Sequence, residues 1–165
     1  MRPLCNVRVV DMRDHIGHHI LCTLTNTLEE PPLKQGVALT SPCGFCGCSG
    51  VPECIIRITV PSSGAPTRET GCKYNHLFRY GSVDSGLKNK PCCNLPLKCG
   101  LSTRKVPVLT VKAIWHYNMA AHILDHHNKY TVPGQCEAGV PLLMSVWRAM
   151  KPIDLEQSAS HIPKE

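Results

Sequence analysis

The sequence has few aromatic residues, which make up only 5% of its 165 positions. A single large hydrophobic core normally draws on more aromatic area than this, so a conventional large-core enzyme is not expected. No apolar run approaches the roughly 18 residues of a membrane span, which argues against a helical membrane protein. The first 19 residues contain no apolar stretch of the secretory-signal type, and we expect no export.

Cysteine and histidine are abundant instead, with 11 Cys and nine His. Disulfides need an oxidising compartment and usually an even number of cysteines. The odd cysteine count, the lack of an export signal and the histidine excess favour zinc–thiolate sites in a reducing nucleus or cytoplasm. Three isolated cysteines fit the alternative of buried free thiols, namely Cys5, Cys22 and Cys136.

Proline and glycine breaks divide the chain into four segments. Residues 1–28 carry a short helical piece around Met12–Leu24, which we interpret as a partial finger helix, and residues 29–42 form a linker. Residues 43–130 are the predicted metal-binding module, and residues 131–165 combine a short helix, Pro141–Met150, with a polar tail. The expected fold is small α+β and zinc-stabilised, with short antiparallel strands, a C2H2-like helix and no large hydrophobic core.

Within the module, alternating apolar residues predict a strand over Ile55–Val60, and shorter patterns predict strands over Leu77–Tyr80 and Val106–Val111. A single apolar stripe predicts a helix over Lys112–Asn128. The positive charge lies in this module, which has eleven basic and four acidic residues. The formal net charge of the whole chain is +6. Lys88–Lys112 holds six basic residues and no acid, which suits a polyanion partner, although a solvated surface is the commoner explanation.

The first metal set is predicted from Cys43-x2-Cys46, a glycine-flanked pair of thiols typical of a zinc knuckle. Tetrahedral zinc needs two more ligands, and Cys54 and Cys72 flank the predicted strand. Cys48 and His76 are the reserve candidates. A redox function for the pair would need a thioredoxin-like βαβ pattern, which is absent from the sequence.

The second metal set is predicted on the 112–128 helix, where histidines one turn apart share a face. This spacing matches the second half of a C2H2 finger, but Ser102 stands where a second cysteine would complete a pair with Cys99. An exposed histidine-rich helix is the alternative interpretation. The candidate ligands are Cys92, Cys93, Cys99, His122 and either His126 or His127.

A shorter histidine-rich fragment, residues 12–19, repeats the Met-x2-His-Ile pattern of residues 119–127 and ends in the same histidine pair. The repetition suggests a second finger half without its cysteine pair. Chance similarity between two short fragments is the alternative.

Four motifs occur in a fixed order: PCGFCG (42–47), PCCNLPLKC (91–99), AIWHYNMAAHILDHH (113–127) and VPLLMSVWRAMKPIDLEQ (140–157). Together with MRDHIGHHIL (12–21) they resemble a family of zinc-finger proteins from mushroom-forming (basidiomycete) fungi, many of them transposon-related. The resemblance covers most of the chain, and it implies that the chain is a fragment of a longer protein.

The resemblance implies zinc as the cofactor and supports one set of four thiols, Cys43, Cys46, Cys54 and Cys72. It further supports a second set formed by Cys92, Cys99, His122 and His126 or His127. The family pattern has cysteine where this chain has Ser102.

The leading functional hypothesis is a non-enzymatic, nuclear zinc-finger module that binds DNA. In C2H2 register, Asn118 takes the central base-reading position, and an asparagine there can pair with adenine. Arg104, Lys105 and Lys112 would contact phosphates. The alternatives are a zinc-stabilised protein-interaction module and, more remotely, a metal-dependent nuclease that uses the open zinc position beside Ser102.

Overall fold

A computed structural model describes residues 7, 9–29, 33, 36–38, 40–102 and 109–163. It is a small mixed α/β fold with short antiparallel strands and several helices. The helices are α1 (Met12–Leu24), α2 (Tyr80–Ser85), α3 (Met119–His126), α4 (Met144–Met150) and α5 (Asp154–Ala159). The strands are β1 (Ile56–Val60), β2 (Thr67–Thr70), β3 (Pro96–Leu97), β4 (Leu109–Lys112) and β5 (Ile114–Trp115), and 3₁₀ turns span Pro52–Cys54 and His116–Asn118.

The strands form two small sheets that one segment of chain connects. The three-stranded sheet has the order β2-β1-β4 and the two-stranded sheet pairs β3 with β5, all antiparallel. Ala113 separates β4 from β5, and its N–H still donates to the Ile56 carbonyl at 2.9 Å. Three residues later the His116 N–H donates to the Leu95 carbonyl at 2.7 Å. The chain therefore passes from the first sheet to the second at Ala113.

Three small hydrophobic clusters replace a single core. The first cluster packs the inner face of β1 against Phe45 and Trp115, and the second packs α1 against Cys92 and Tyr117. The third packs α3 against Cys99 and Val132. Each cluster contains at least one buried cysteine, as expected for a chain with so little aromatic area.

Helix α1 lies unusually close to the segment that precedes β3. A Cβ on Gly17 would lie 2.1 Å from the Cys92 sulfur, so the contact requires glycine. The Arg13 side chain, only 1% exposed, donates from Nη1 to the Cys92 carbonyl at 2.8 Å. The Glu156 carboxylate of α5 accepts hydrogen bonds from the Cys93 N–H and the Tyr117 hydroxyl. These buried polar contacts join residues 1–28 and residues 131–165 to the module of residues 43–130.

Several secondary-structure predictions are confirmed. Helix α1 has the predicted bounds, β1 lies within Ile55–Val60, and α4 lies within Pro141–Met150. Strand β4 overlaps the predicted strand over Val106–Val111, whose residues 106–108 lie outside the described residues.

Two predictions are wrong, and both errors come from local patterns. Leu77–Phe78 is not a strand: Leu77 is 95% exposed, and the Phe78 ring packs on the Arg68 guanidinium, whose Cζ lies 3.8 Å from the ring centroid. The helix predicted over Lys112–Asn128 begins only at Met119. Residues 112–115 pair as strands instead, because β1 and β3 offer them backbone partners.

Replacing Arg13 with alanine should lower the free energy of unfolding by about 3 kcal/mol, because the buried Cys92 carbonyl loses a charged donor. Arg148→Ala on the exposed face of α4 is the matched control, with an expected change within about 0.5 kcal/mol. Denaturant unfolding of the metal-loaded proteins measures both. Equal losses in the two variants would contradict a structural role for Arg13.

Candidate metal centres

Four cysteine sulfurs converge beside the first hydrophobic cluster, and we call this group the tetrathiol centre: Cys43, Cys46, Cys54 and Cys72. Cys54 ends the 3₁₀ turn that precedes β1, and Cys72 follows the end of β2. Because β1 and β2 are antiparallel, with Ile56 opposite Thr70, these two cysteines meet at the same end of the hairpin. The knuckle that contains the other two cysteines lies over that end.

The knuckle has the tight turn that its sequence predicts. The Gly47 N–H donates to the Cys43 carbonyl at 2.7 Å, and the Cys43 N–H donates to the Cys48 carbonyl at 2.9 Å. Gly47 has a φ of 72°, a value that other residues adopt at a cost. Between the cysteines, the fully buried Phe45 ring meets Trp115 edge to face, with centroids 5.0 Å apart. This aromatic contact holds the knuckle against the sheets.

The sulfur–sulfur distances match a tetrahedral metal site. The Cys43 and Cys72 sulfurs are 3.8 Å apart, and those of Cys46 and Cys54 are 3.5 Å apart. A tetrahedron with Zn–S bonds of about 2.3 Å has edges of about 3.8 Å. A disulfide would bring two sulfurs to about 2.05 Å, and every cysteine among the described residues is a free thiol. The predicted first set is therefore brought together with the geometry of a closed four-thiolate centre.

The protonation of these thiols shows why a cation would suit them. Hydrogen bonds from Cys43 and Cys46 hold the pKa of Cys72 far below its ordinary value. The pKa of Cys46 is raised, because its hydrogen bonds to Cys43 and Cys72 favour the protonated form. Few of the four crowded thiols can therefore be ionised at the same time. A divalent cation would allow all four to ionise.

The two reserve candidates lie outside this centre. The Cys48 thiol donates to the Cys46 carbonyl at 3.8 Å. His76 Nε2 donates to the Asp11 carboxylate at 2.9 Å, which ties the loop after β2 to the start of α1.

A second group, the Cys-His-His centre, consists of Cys99, His122 and His127. The Cys99 sulfur and His127 Nε2 are 3.3 Å apart, close to the edge of about 3.5 Å that zinc would set between sulfur and nitrogen. His122 Nε2 is buried without a hydrogen-bond partner, as a metal-facing imidazole nitrogen would be in the absence of its ion. Burial, followed by the neighbouring His126 and His127, lowers the pKa of His122 and keeps it in the neutral form that binds metal.

Cys92 does not join this centre, contrary to the prediction. It lies in the second cluster against α1, where its thiol donates to the Arg13 carbonyl at 3.7 Å. Burial raises the pKa of Cys92 to about 11, so it is a thiol of the protein interior. Its neighbour Cys93, the other early candidate, is also outside the group and donates to the Asp84 carbonyl at 3.5 Å.

The structure also decides between the two adjacent histidines. Helix α3 ends at His126, which is exposed. His127 follows with a φ of −133°, and this break in the helix directs its ring towards Cys99. A continuous helix through Asn128 would have favoured His126, which has the finger-like spacing from His122.

The Cys-His-His centre has an incomplete donor set. Among the described residues, no fourth Cys, His, Asp or Glu joins it. The Ser102 N–H donates to the Cys99 carbonyl at 3.2 Å across three residues, whereas the knuckle hydrogen bond joins Gly47 to Cys43 across four. In sequence, Ser102 stands where a second cysteine would complete a Cys-x2-Cys spacing with Cys99.

The predicted base-reading surface is buried in the structure. Asn118 is buried, and its Nδ2 donates to the Pro42 carbonyl at 2.9 Å. Counting back from His122 in the same C2H2 register gives Trp115 and Tyr117 as further base-reading positions, and both are buried as well. The C2H2 register was wrong because it assumed that the helix began well before Met119.

Of the predicted phosphate contacts, only Lys112 can be assessed, and it is exposed at the end of β4. Arg104 and Lys105 lie outside the described residues.

Sequence analysis missed a third group, formed by His18, Cys22 and Glu29. Cys22 was interpreted as an isolated thiol. The His18-x3-Cys22 spacing on a predicted helix was the signal that could have identified a shared face.

His127→Ala should remove one metal ion from the protein, whereas His126→Ala should leave the metal count unchanged, because only His127 faces Cys99. Native mass spectrometry of the zinc-loaded variants measures the count. The two adjacent histidines serve as controls for each other. If His126→Ala lost metal and His127→Ala did not, the ligand would be His126, at the finger-like spacing from His122.

No protein-family model, curated protein or solved structure matches this chain. The resemblance to fungal zinc-finger proteins and the nuclear location accordingly stay predictions from the sequence. In the described part of the chain, every helix falls short of the length and apolar content needed to span a bilayer. The Cys/His clusters themselves are compatible with metal binding.

Proposed function

We propose that this protein is a zinc-binding module in which the tetrathiol centre is a structural zinc site. The observation that carries the proposal is the convergence of four thiols with sulfur–sulfur distances of 3.5 and 3.8 Å. Soft thiolate donors in tetrahedral arrangement are typical of zinc and of iron–sulfur sites and disfavour magnesium and calcium, and a structural role fits zinc. Four protein ligands leave no position for a substrate, so the metal at this centre would stabilise the fold and take no part in catalysis.

The stabilising role follows from the small core. Structural zinc contributes on the order of 10–16 kcal/mol in finger peptides, which equals or exceeds the net stability of a typical domain. The first cluster contains three of the four thiols, so its packing depends on how their charge is balanced. The Cys-His-His centre would hold a second zinc ion, with the remaining position taken by water.

Cys43→Ser should lose one metal ion and its cooperative thermal transition, and a strong chelator should have the same effect on the parent protein. Cys136→Ser is the matched control, because the Cys136 thiol donates to the Ala138 carbonyl at 3.4 Å and belongs to no candidate metal group among the described residues. Native mass spectrometry and circular dichroism measure the two effects. A cooperative melt that survives complete metal removal would overturn the structural role.

As the partner of this module we propose nucleic acid, bound through its phosphates without base reading. The support is electrostatic: residues 43–130 carry eleven basic and four acidic residues. On the outer face of the first sheet, Arg57 of β1 lies opposite Lys112 of β4, and both are exposed. Contacts to phosphate need no recognition helix in the groove, so they are compatible with a buried Asn118.

Binding of the zinc-loaded protein to random-sequence DNA should weaken as salt rises. The double variant Arg57→Gln/Lys112→Gln should reduce the slope of log K against log[salt] by about two, because each cation neutralises one phosphate. Arg148→Gln/Lys151→Gln in the tail removes the same charge elsewhere and is the control. Absence of salt-dependent binding would favour the alternative of a protein-interaction module. Cleavage of the DNA would favour a metal-dependent nuclease.

A further inference from the structure

Helix α1 presents two metal-ligand side chains on one face. His18 and Cys22 are four residues apart, which places them one above the other on a helix. The Cys22 sulfur lies 3.7 Å from His18 Nε2. For comparison, zinc bound to both would set sulfur and nitrogen about 3.5 Å apart.

The segment after α1 brings a carboxylate to the same place. The Thr27 N–H donates to the Cys22 carbonyl at 2.8 Å, and Asn26 has a φ of 53° in this turn. The chain therefore doubles back at the end of the helix, and Glu29 returns to the face that carries the cysteine. Ligand atoms of His18, Cys22 and Glu29 all lie within 4.8 Å of one another.

Both flanking ligands are oriented by a second hydrogen bond. His18 Nδ1 lies 3.0 Å from the Ser160 hydroxyl, and the Cys22 sulfur lies 3.9 Å from Nδ1 and 3.7 Å from Nε2 of the same ring. Glu29 Oε2 accepts from His19 Nδ1 at 2.8 Å. Such outer contacts are typical of metal ligands, because they set the ring orientation and the carboxylate geometry.

One Glu29 oxygen has no hydrogen bond to the described residues. Glu29 Oε1 is buried and unpaired among them, although the other carboxylate oxygen is paired with His19. A buried carboxylate oxygen without a donor is costly unless a cation satisfies it. Because a Glu29 carboxylate oxygen lies within 4.8 Å of the buried Cys22 sulfur, a single cation could satisfy both groups.

The candidate site is open to solvent on the side of its histidine. His18 is exposed, so an ion has a path from solvent and a water molecule can complete the coordination.

We propose that His18, Cys22 and Glu29 form a third metal site, which binds a zinc-class divalent cation. The mixed nitrogen, sulfur and oxygen donors suit zinc or another borderline transition metal and disfavour magnesium and calcium. With one thiolate and an open position, this site should release its metal before the tetrathiol centre does. It is separate from the other two centres, and its existence does not depend on nucleic-acid binding.

The test is the metal count of the zinc-loaded 165-residue chain by native mass spectrometry. The parent should carry three ions, and Cys22→Ser should carry two. Glu29→Gln, which keeps the size of the side chain, should also carry two. Cys136→Ser and His126→Ala remove a thiol and an imidazole outside the three groups and should retain all three ions.

A second measurement separates this site from the fold. Limited chelation should remove one ion more from the parent than from Glu29→Gln, without loss of the far-ultraviolet dichroism in either protein. A Cys22→Ser protein with the parent's metal count would overturn the proposal, as would a Glu29→Gln protein with that count. Cys43→Ser, measured in parallel, reports separately on the structural zinc site.

Discussion

The convergence of four sulfurs at one end of the β1–β2 hairpin is the constraint on which the rest of the structure depends. It fixes the knuckle over the hairpin, and the knuckle carries Phe45 into the first cluster against Trp115. Trp115 belongs to β5, so the second sheet is positioned through this aromatic contact. Four thiolates in one place would repel one another without a cation, and one metal ion would both balance their charge and hold these elements together.

The three hydrophobic clusters are small, and buried polar residues link them. Arg13 connects α1 to the segment before β3, and Glu156 connects α5 to Cys93 and Tyr117. Each polar atom used in this way must find a partner, since an unpaired buried group costs about 1–3 kcal/mol. Each cluster also lies beside a candidate metal centre or on an element that carries one. Clustered Cys and His side chains that could bind metal, together with buried polar contacts, take the place of aromatic area.

The accuracy of the site predictions depended on how far apart the ligands lie in the sequence. Cys43 and Cys46 are recognisable because the knuckle is a local turn, and Cys54 and Cys72 because they flank the predicted strand Ile55–Val60, whose partner β2 only the structure shows. Cys92 was assigned to the wrong group, because no local sequence pattern indicates that helix α1 packs against it. The choice of His127 over His126 depended on where α3 ends, and helix ends are poorly determined by periodicity.

Composition and local pattern by themselves determined the small mixed fold, the helix Met12–Leu24, the strand Ile56–Val60 and the abundance of free thiols. These features depend on neighbouring residues, whose spacing sets which face is apolar. Tertiary structure alone decided that residues 112–115 pair as strands, that Asn118 is buried against Pro42, and that Glu29 returns to Cys22. The physical reason is that each of these outcomes depends on a partner distant in sequence or on a turn that reverses the chain, and periodicity contains neither.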